Sequence, residues 1–223
     1  MISFVRKIAK NENRRVYEGL YQDNRCCIKV LTSQNPHQRA LFEEEYRILT
    51  HISHPNIPKA IGFEETDMGP AMILSYIEGI TLREYIDRKN EYQTTISFET
   101  IYYQITKIIQ EIHLLKSFQD NKPLSIIHRD LKPSNILIHL PSKKIFVCDL
   151  GIAYYDHPDK KVQSNPTQRK TSIMYCAPEY LLEGTKNVTI DYFSLGWIFL
   201  EMLTDQKPPG FVPNRRKYNQ IRA

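Results

Sequence analysis

Two carboxylates and an amide occupy neighbouring positions in the central part of the chain. Asp130 and Asn135 lie five residues apart in a predicted loop, and Asp149 follows a predicted strand at 145–148. We expect the three groups to converge, because the loop and the strand are adjacent in the chain. Oxygen ligands of this kind suit Mg²⁺, which keeps water and phosphate oxygens at its remaining positions. Lys132 adds a positive charge two residues from Asp130.

The composition is that of an ordinary globular protein. The chain has 223 residues, of which 41% are hydrophobic and 25% charged, which is enough for one large domain or two small lobes. Thirty basic and 25 acidic residues give a net charge of +5. This mild excess is compatible with anionic ligands but does not indicate nucleic-acid binding, so we do not expect a nucleic-acid partner.

Cysteine usage and hydropathy point to a cytoplasmic protein. The four cysteines form no C-x-x-C pair, and no signal-peptide pattern opens the chain. The longest apolar helix candidate, at 190–203, contains Asp191 and Glu201 and is too short to span a membrane. We therefore expect a reducing compartment and no membrane association.

The first 75 or so residues are rich in strand patterns. A polar run after Ile8 predicts a hairpin over residues 8–19, and Asn35-Pro36 is a good start for a helix at 36–52. The predicted strands in this part are 16–21, 26–31, 61–64 and 71–76.

The pattern changes after Glu78-Gly79. Thr81 and Ser97 are predicted helix N-caps, and isoleucines at helical spacing follow Ser97. Two short strands, 136–139 and 145–148, precede a last helix at 189–203. The prediction is an α+β fold with a β-rich lobe over 1–76, a hinge over 77–80 and a helical lobe over 81–223.

Three motifs occur in a fixed order. The string HRDLKPSN occupies 128–135, DLG occupies 149–151 and APE occupies 177–179. Together they resemble the eukaryotic-type serine/threonine protein kinase family, and the resemblance extends over most of the chain. It implies a bilobal kinase fold and transfer of the ATP γ-phosphoryl group to a protein hydroxyl.

The resemblance assigns roles in the central loop. Asp130 would orient the substrate hydroxyl and accept its proton, and Lys132 would steady the transferring phosphoryl group. Asn135 and Asp149 would hold Mg²⁺. A lysine at position 132 resembles the serine/threonine branch, so the implied partner is a protein with a Ser or Thr acceptor.

The resemblance also assigns the nucleotide-binding residues of the first lobe. Lys29, in the string CCIKV, would contact the α- and β-phosphates and pair with a glutamate of the next helix. Glu43, Glu44 and Glu45 compete for that role; the family register selects Glu45, with Glu44 next.

The adenine ring would lie beside the second predicted hairpin. Leu74 would guard the back of the adenine pocket, and Ser75 to Ile77 would offer backbone groups to the adenine edge.

The glycine-rich loop of the family is altered. Anchored on Val16, its three glycine positions hold Ala9, Asn11 and Arg14. Glycine serves there because backbone amides must approach the phosphates closely. We expect the loop to cover the nucleotide with Asn11 and Arg14 in place of bare backbone, and to bind ATP more weakly.

The helical lobe is predicted to be truncated. The helix at 189–203 is apolar nearly all round and belongs in a core, yet the chain stops about twenty residues later. An apolar face would then remain, so we expect self-association or a partner that covers it.

The activation segment offers phosphate acceptors. Arg129 precedes Asp130, as in kinases whose activation segment is ordered by a phosphate, and the candidate acceptors are Ser164, Thr167 and Thr171. We therefore expect autophosphorylation.

Other functions remain open. The altered glycine loop and the short C-terminus also fit a pseudokinase-like module that binds nucleotide or a partner without turnover, or an inactive kinase remnant. Small-molecule phosphotransferases share the architecture but match Lys132 and the APE segment less well.

Overall fold

The first lobe is a five-stranded antiparallel sheet with one helix. The computed structural model describes residues 2–117, 120–155 and 174–209. The sheet order is β1-β2-β3-β5-β4, and α1 follows β3 in the chain. The bounds are β1 Ile2–Lys10, β2 Arg14–Tyr21, β3 Asn24–Leu31, α1 Pro36–His51, β4 Ala60–Thr66 and β5 Gly69–Ser75. The predicted hairpins and helix are confirmed, with strands that extend one or two residues beyond most predicted ends.

The alternation of side chains along β3 separates two apolar clusters. Cys26, Ile28 and Val30 are fully buried with Ala71 and Ile73 of β5 on one face of the sheet. The intervening side chains of β3 point to the other face, because successive side chains of a strand alternate. That second face packs on α1, so a lysine in β3 is directed toward this helix.

The second part of the chain is mainly helical. It contains a small sheet of order β6-β7-β8, in which β7 pairs with both neighbours. Its elements are β6 Ile80–Thr81, α2 Leu82–Asp87, α3 Lys89–Tyr92, α4 Phe98–His113, a 3₁₀ turn Pro133–Asn135, β7 Ile136–His139, β8 Lys144–Val147, α5 Pro178–Glu183 and α6 Thr189–Thr204. Both predicted N-caps are confirmed: Thr81 Oγ1 accepts from Glu84 N–H, and Ser97 Oγ accepts from Thr100 N–H. The short elements β6, α3 and α5 have no predicted counterpart.

Helix α4 buries the isoleucine stripe that the sequence predicts. Its five isoleucines are almost inaccessible to solvent: Ile101, Ile105, Ile108, Ile109 and Ile112. They join the main core, to which α6 also contributes Leu195, Ile198 and Met202. In the described residues, no helix is long and apolar enough to cross a membrane.

A buried aspartate of α6 fixes the central loop. Asp191 is fully buried; its Oδ1 accepts from Arg129 N–H at 2.8 Å, and its Oδ2 accepts from His128 N–H at 2.8 Å. The ring Nε2 of His113 on α4 lies 2.9 Å from the same Oδ2. His128 also contacts the carbonyl of Cys148 through Nε2 at 3.1 Å. One carboxylate therefore ties α4 and α6 to the loop.

Replacing Asp191 should destabilise the whole lobe. Asp191→Ala leaves two buried backbone N–H groups without their acceptor, so we expect a loss of about 3 kcal/mol in the free energy of unfolding. Urea denaturation of the full chain measures it. The control is Asp87→Ala, since the Asp87 side chain is 55% exposed and its loss should cost less than about 0.5 kcal/mol. A similar effect of both changes would contradict this anchoring role.

Candidate active site

The loop between α4 and β7 presents a carboxylate held by two neighbours. Lys132 Nζ lies 2.6 Å from Asp130 Oδ2, and Asn135 Nδ2 donates to the Asp130 carbonyl at 2.9 Å and to its Oδ2 at 3.2 Å. The 3₁₀ turn keeps the loop in place, since Asn135 N–H donates to Lys132 O at 2.9 Å. The structure thus brings together the three loop residues that the sequence analysis selected.

A lysine of β3 joins the two lobes. Lys29 Nζ lies 2.5 Å from Glu45 Oε1 on α1 and 2.6 Å from Asp149 Oδ1, two residues after β8. Lys29 and Glu45 are almost fully buried, whereas the Asp149 side chain is 37% exposed. Asp149 is therefore the member of this cluster that solvent or a ligand can reach.

The three consecutive glutamates of α1 have different surroundings. Glu43 is exposed and pairs with Arg39 one turn earlier. Glu44 is buried and accepts from the Tyr155 hydroxyl. Glu45 alone reaches the lysine of β3, because the three side chains project in different directions around the helix. The pair in the structure is the one that the family register selects.

Arg14 forms a second ion pair with the same glutamate. Its Nη1 lies 2.7 Å from Glu45 Oε2 and 3.7 Å from Asp149 Oδ1. Asn11 Oδ1 accepts from the N–H groups of Asn13 and Arg14 at 3.0 and 2.8 Å, so it closes the turn between β1 and β2. The two polar residues at the glycine positions thus differ: Asn11 shapes the turn, and Arg14 enters the ion cluster.

The remaining positions at this face follow from strand pairing. Val16 is paired with Lys29 and with Ala9, so these three residues share one face of the sheet, with Ala9 exposed at its edge. Leu74 is paired with Cys27 and is half-buried on the same face.

The end of β5 leads into the segment between the two sheets. Ser75 donates its N–H to Lys59 O at 2.9 Å, and its hydroxyl accepts from Lys59 N–H. Ile77 follows the strand and is half-buried. Ser75 and Ile77 therefore lie at the end of β5 and directly after it, before the second sheet begins at Ile80.

Electrostatics keep the cluster ionised. Burial alone would raise the pKa of Asp149, but the charges of Lys29 and Arg14 outweigh it and hold this pKa well below its usual range. Burial likewise opposes the charge of Lys29, yet Asp149 and Glu45 raise its pKa. Lys29 and Asp149 are thus both charged at neutral pH.

Two thiols near the cluster are not poised as nucleophiles. Burial raises the pKa of Cys148 to about 12 and that of Cys27 to about 11. Since the thiolate is the reactive form, both cysteines stay protonated at neutral pH. The chemistry of this site is that of its lysines, carboxylates and amide.

Two residues at the site have left-handed backbone conformations. The φ angles are 66° at Arg129 and 68° at Asp149, in the region that non-glycine residues rarely adopt. Such conformations cost of order 1 kcal/mol or more and tend to cluster at functional sites. The hydrogen bond from Arg129 N–H to Asp191 maintains one of them.

Comparison with known proteins identifies the family. The description "Protein kinase domain" applies to the family matched by residues 4–222, nearly the whole chain. The chain belongs to the protein kinase domain family. The α+β architecture, with an antiparallel sheet beside a helical part, is the fold expected from the resemblance.

Curated relatives of this kinase domain are remote in sequence. The "U-box domain-containing protein 34" of Arabidopsis thaliana is 28% identical over 89% of the chain and 24% of the relative. The "Probable serine/threonine-protein kinase PknB" of Lactococcus lactis subsp. lactis is 29% identical over 92% of the chain and 31% of the relative. The "Calmodulin-binding receptor-like cytoplasmic kinase 3" of Arabidopsis thaliana is 27% identical over 86% of the chain and 37% of the relative. The chain thus spans about a quarter to two fifths of these relatives.

The kinase domain contains oxygen donors that fit Mg²⁺. Asn135 donates to Asp130 through Nδ2, which leaves its amide oxygen as the atom able to bind a cation. Asp149 supplies a partly exposed carboxylate. A hard cation held by few protein oxygens and by phosphate oxygens is the usual coordination of magnesium. The donor chemistry of these residues therefore fits the metal that the family uses.

Sequence reasoning did not find the ion pairs of Arg14. The signal was present in the strand register, since Arg14 lies two residues before Val16 and so shares its face. The position had been interpreted as an altered glycine whose side chain helps to cover the nucleotide, with no ion pair to α1. The contact of Arg14 with Glu45 of α1 depends on how the helix packs on the sheet, which no local sequence pattern shows.

Glu45 should matter more than its neighbours for stability. Glu45→Gln removes the charge that two buried cations share, so we expect a loss of about 2 kcal/mol in the free energy of unfolding. Glu43→Gln is the matched control on the same helix, and its exposed pair should contribute less than about 0.5 kcal/mol. Urea unfolding of both variants tests the difference. Equal losses would show that the cluster does not depend on Glu45.

Proposed function

We propose that this kinase domain is an active serine/threonine protein kinase that transfers the ATP γ-phosphoryl group to a protein hydroxyl and phosphorylates itself. The observation that carries the proposal is the cluster in which Lys29 contacts both Glu45 and Asp149, beside an Asp130 held by Lys132 and Asn135. Phosphoryl transfer needs positioning and charge neutralisation more than covalent chemistry. These side chains are held in position before any ligand binds.

Each residue has a role that its surroundings support. Lys29 is directed by β3 toward Glu45 and Asp149 and is charged, so it would bind the α- and β-phosphates of ATP. Asp130 would accept the proton of the substrate hydroxyl, and Lys132, 2.6 Å from it, would stabilise the transferring group. Asn135 and Asp149 would hold Mg²⁺, which supplies charge neutralisation when bound.

We propose the hinge at 77–80, between a nucleotide-binding lobe at 1–76 and a catalytic lobe at 81–223. Gly79 supports this division, since a Cβ there would lie 2.2 Å from the carbonyl of Ile138 in β7. The chain passes close to the second sheet at this point and allows no side chain. Leu74, Ser75 and Ile77 precede the hinge and would contact adenine.

We propose a cytoplasmic location, where ATP and protein substrates are available. A retained set of ionic residues favours catalysis over a binding module, because a module without turnover needs neither Asp130 nor Asp149. The alternative is a pseudokinase-like module that binds nucleotide or a partner.

Transfer of labelled phosphate tests the proposed activity. The assay contains radiolabelled ATP, Mg²⁺ and casein, and we expect the parent chain to label casein. The rate should fall at least about a hundredfold in Asp130→Asn, because general-base catalysis contributes a factor of this order. Asp87→Asn is the control, since it removes an exposed carboxylate distant in sequence from the loop. No transfer by the parent contradicts the proposal. Labelling that persists in Asp130→Asn identifies a contaminant.

The same reaction detects autophosphorylation. Label on the chain itself is expected in the parent and absent in Asp130→Asn. The candidate acceptors Ser164, Thr167 and Thr171 lie outside the described residues, so peptide mapping of the labelled chain assigns them. Label confined to other positions would contradict the assignment.

Helix α6 supports the prediction of a covering partner. Leu203 is 62% exposed and Leu200 is 46% exposed, although the opposite side of the same helix is buried, with Leu195, Ile198 and Met202 in the main core. An apolar surface of this kind favours association. We expect light scattering of the concentrated chain to show a dimer or larger species that Leu200→Lys with Leu203→Lys dissociates. A soluble monomer at high concentration would contradict self-association.

A further inference from the structure

The arginine at the third glycine position is built into the candidate site. The Arg14 side chain is only 13% exposed, and Nη1 lies 2.7 Å from Glu45 Oε2. Its Cζ lies 5.5 Å from the centroid of the Phe42 ring. The guanidinium is therefore held by a buried carboxylate and an aromatic side chain of α1, and it does not extend into solvent.

Strand register directs this side chain inward. Arg14 is paired with Leu31 and Val16 with Lys29, so Arg14 and Lys29 are on the same face of the sheet. Arg15 is paired with Val30 and is exposed on the other face. Of these two neighbouring arginines, Arg14 thus lies at the site and Arg15 lies on the other face of the sheet.

The guanidinium occupies the space next to the proposed metal ligand. Arg14 Nη1 lies 3.7 Å from Asp149 Oδ1. A Cβ on Gly151 would lie 2.7 Å from Arg14 Nη1 and 2.7 Å from Glu45 Oε2. The Arg14–Glu45 pair therefore packs directly against the backbone that follows Asp149, where a glycine leaves the necessary room.

Arg14 changes the charge of the site. The ion pairs of the site join three cations and three carboxylates: Lys29, Arg14 and Lys132 with Glu45, Asp149 and Asp130. Without Arg14, the same set would carry one excess negative charge, which opposes binding of a polyphosphate unless a metal ion compensates. With Arg14, the side chains balance one another before any ion binds.

We propose that Arg14 supplies from within the chain part of the positive charge that Mg²⁺ provides, so that this site binds ATP with little dependence on a divalent cation. The inference rests on the proposed nucleotide site. A guanidinium is always charged and binds phosphate oxygens well. It also shares the Asp149 carboxylate, which weakens the attraction of that ligand for a metal ion.

Calorimetric titration with a non-hydrolysable ATP analogue, adenylyl imidodiphosphate, tests the inference without relying on activity. The full-length parent, Arg14→Gln, Arg14→Lys and Arg15→Gln are each titrated in excess Mg²⁺ and in EDTA. We expect the dissociation constant of the parent to rise less than about threefold in EDTA, and that of Arg14→Gln to rise about tenfold or more, the size expected for one nearby charge. Arg15→Gln should behave like the parent, and Arg14→Lys, which keeps the charge but not the guanidinium, should lie between the parent and Arg14→Gln.

The possible results separate this inference from the proposed function. Binding by the parent only in Mg²⁺ overturns the role of Arg14 but leaves the nucleotide site intact. Equal metal dependence of binding in the parent and in Arg14→Gln also overturns the role of Arg14 and leaves the nucleotide site intact. Absence of binding in every condition overturns both. Circular dichroism checks the fold of each variant, and the comparison of the parent with and without metal remains decisive if Arg14→Gln does not fold.

Discussion

The arrangement of the site depends on the carboxylate of Glu45. Its two oxygens accept from two different strands, Oε1 from Lys29 of β3 and Oε2 from Arg14 of β2. Lys29 in turn reaches Asp149, beyond β8. A charge buried to this degree is tolerated only when it is paired and hydrogen-bonded. The Glu45 side chain consequently couples the position of α1 against the sheet to the position of Asp149, which follows β8.

A second buried carboxylate performs the same task in the helical lobe. Asp191 accepts from the N–H groups of His128 and Arg129 and contacts His113. It holds Arg129 in a left-handed conformation and so fixes where the next residue, Asp130, projects. Glu45 and Asp191 thus determine the two sides of the candidate site: one orients the groups that we propose bind nucleotide phosphates, and the other orients the group that we propose accepts the proton of the substrate hydroxyl.

The two carboxylates explain how a changed glycine loop can coexist with an ordered site. Glycine permits close approach of backbone to phosphate; in the proposed nucleotide site, Arg14 would instead offer a side chain that is paired with the buried Glu45. The turn is closed by Asn11, which uses its side chain to satisfy two backbone N–H groups. Compared with a glycine-rich loop, this loop has less backbone freedom and one additional fixed charge, that of Arg14. The family fold is retained, since the strands on either side of the turn still pair antiparallel, with register shifts between Phe4 and Arg6 and between Lys7 and Ala9.

The sequence by itself determined the family, the α+β architecture and most of the elements. Asn35-Pro36 marked the start of α1, and the isoleucine stripe marked the buried face of α4, because capping and periodicity are local properties. Only the tertiary structure decided that Arg14 contacts Glu45 and that Glu44 accepts a hydrogen bond from the Tyr155 hydroxyl. Those contacts join residues 31 and 111 positions apart, and their partners are set by how α1 packs on the sheet, which spacing along the chain does not encode. The short elements β6, α3 and α5 were missed for a related reason: with two to six residues each, they contain too little periodicity to be recognised and are stabilised by what surrounds them.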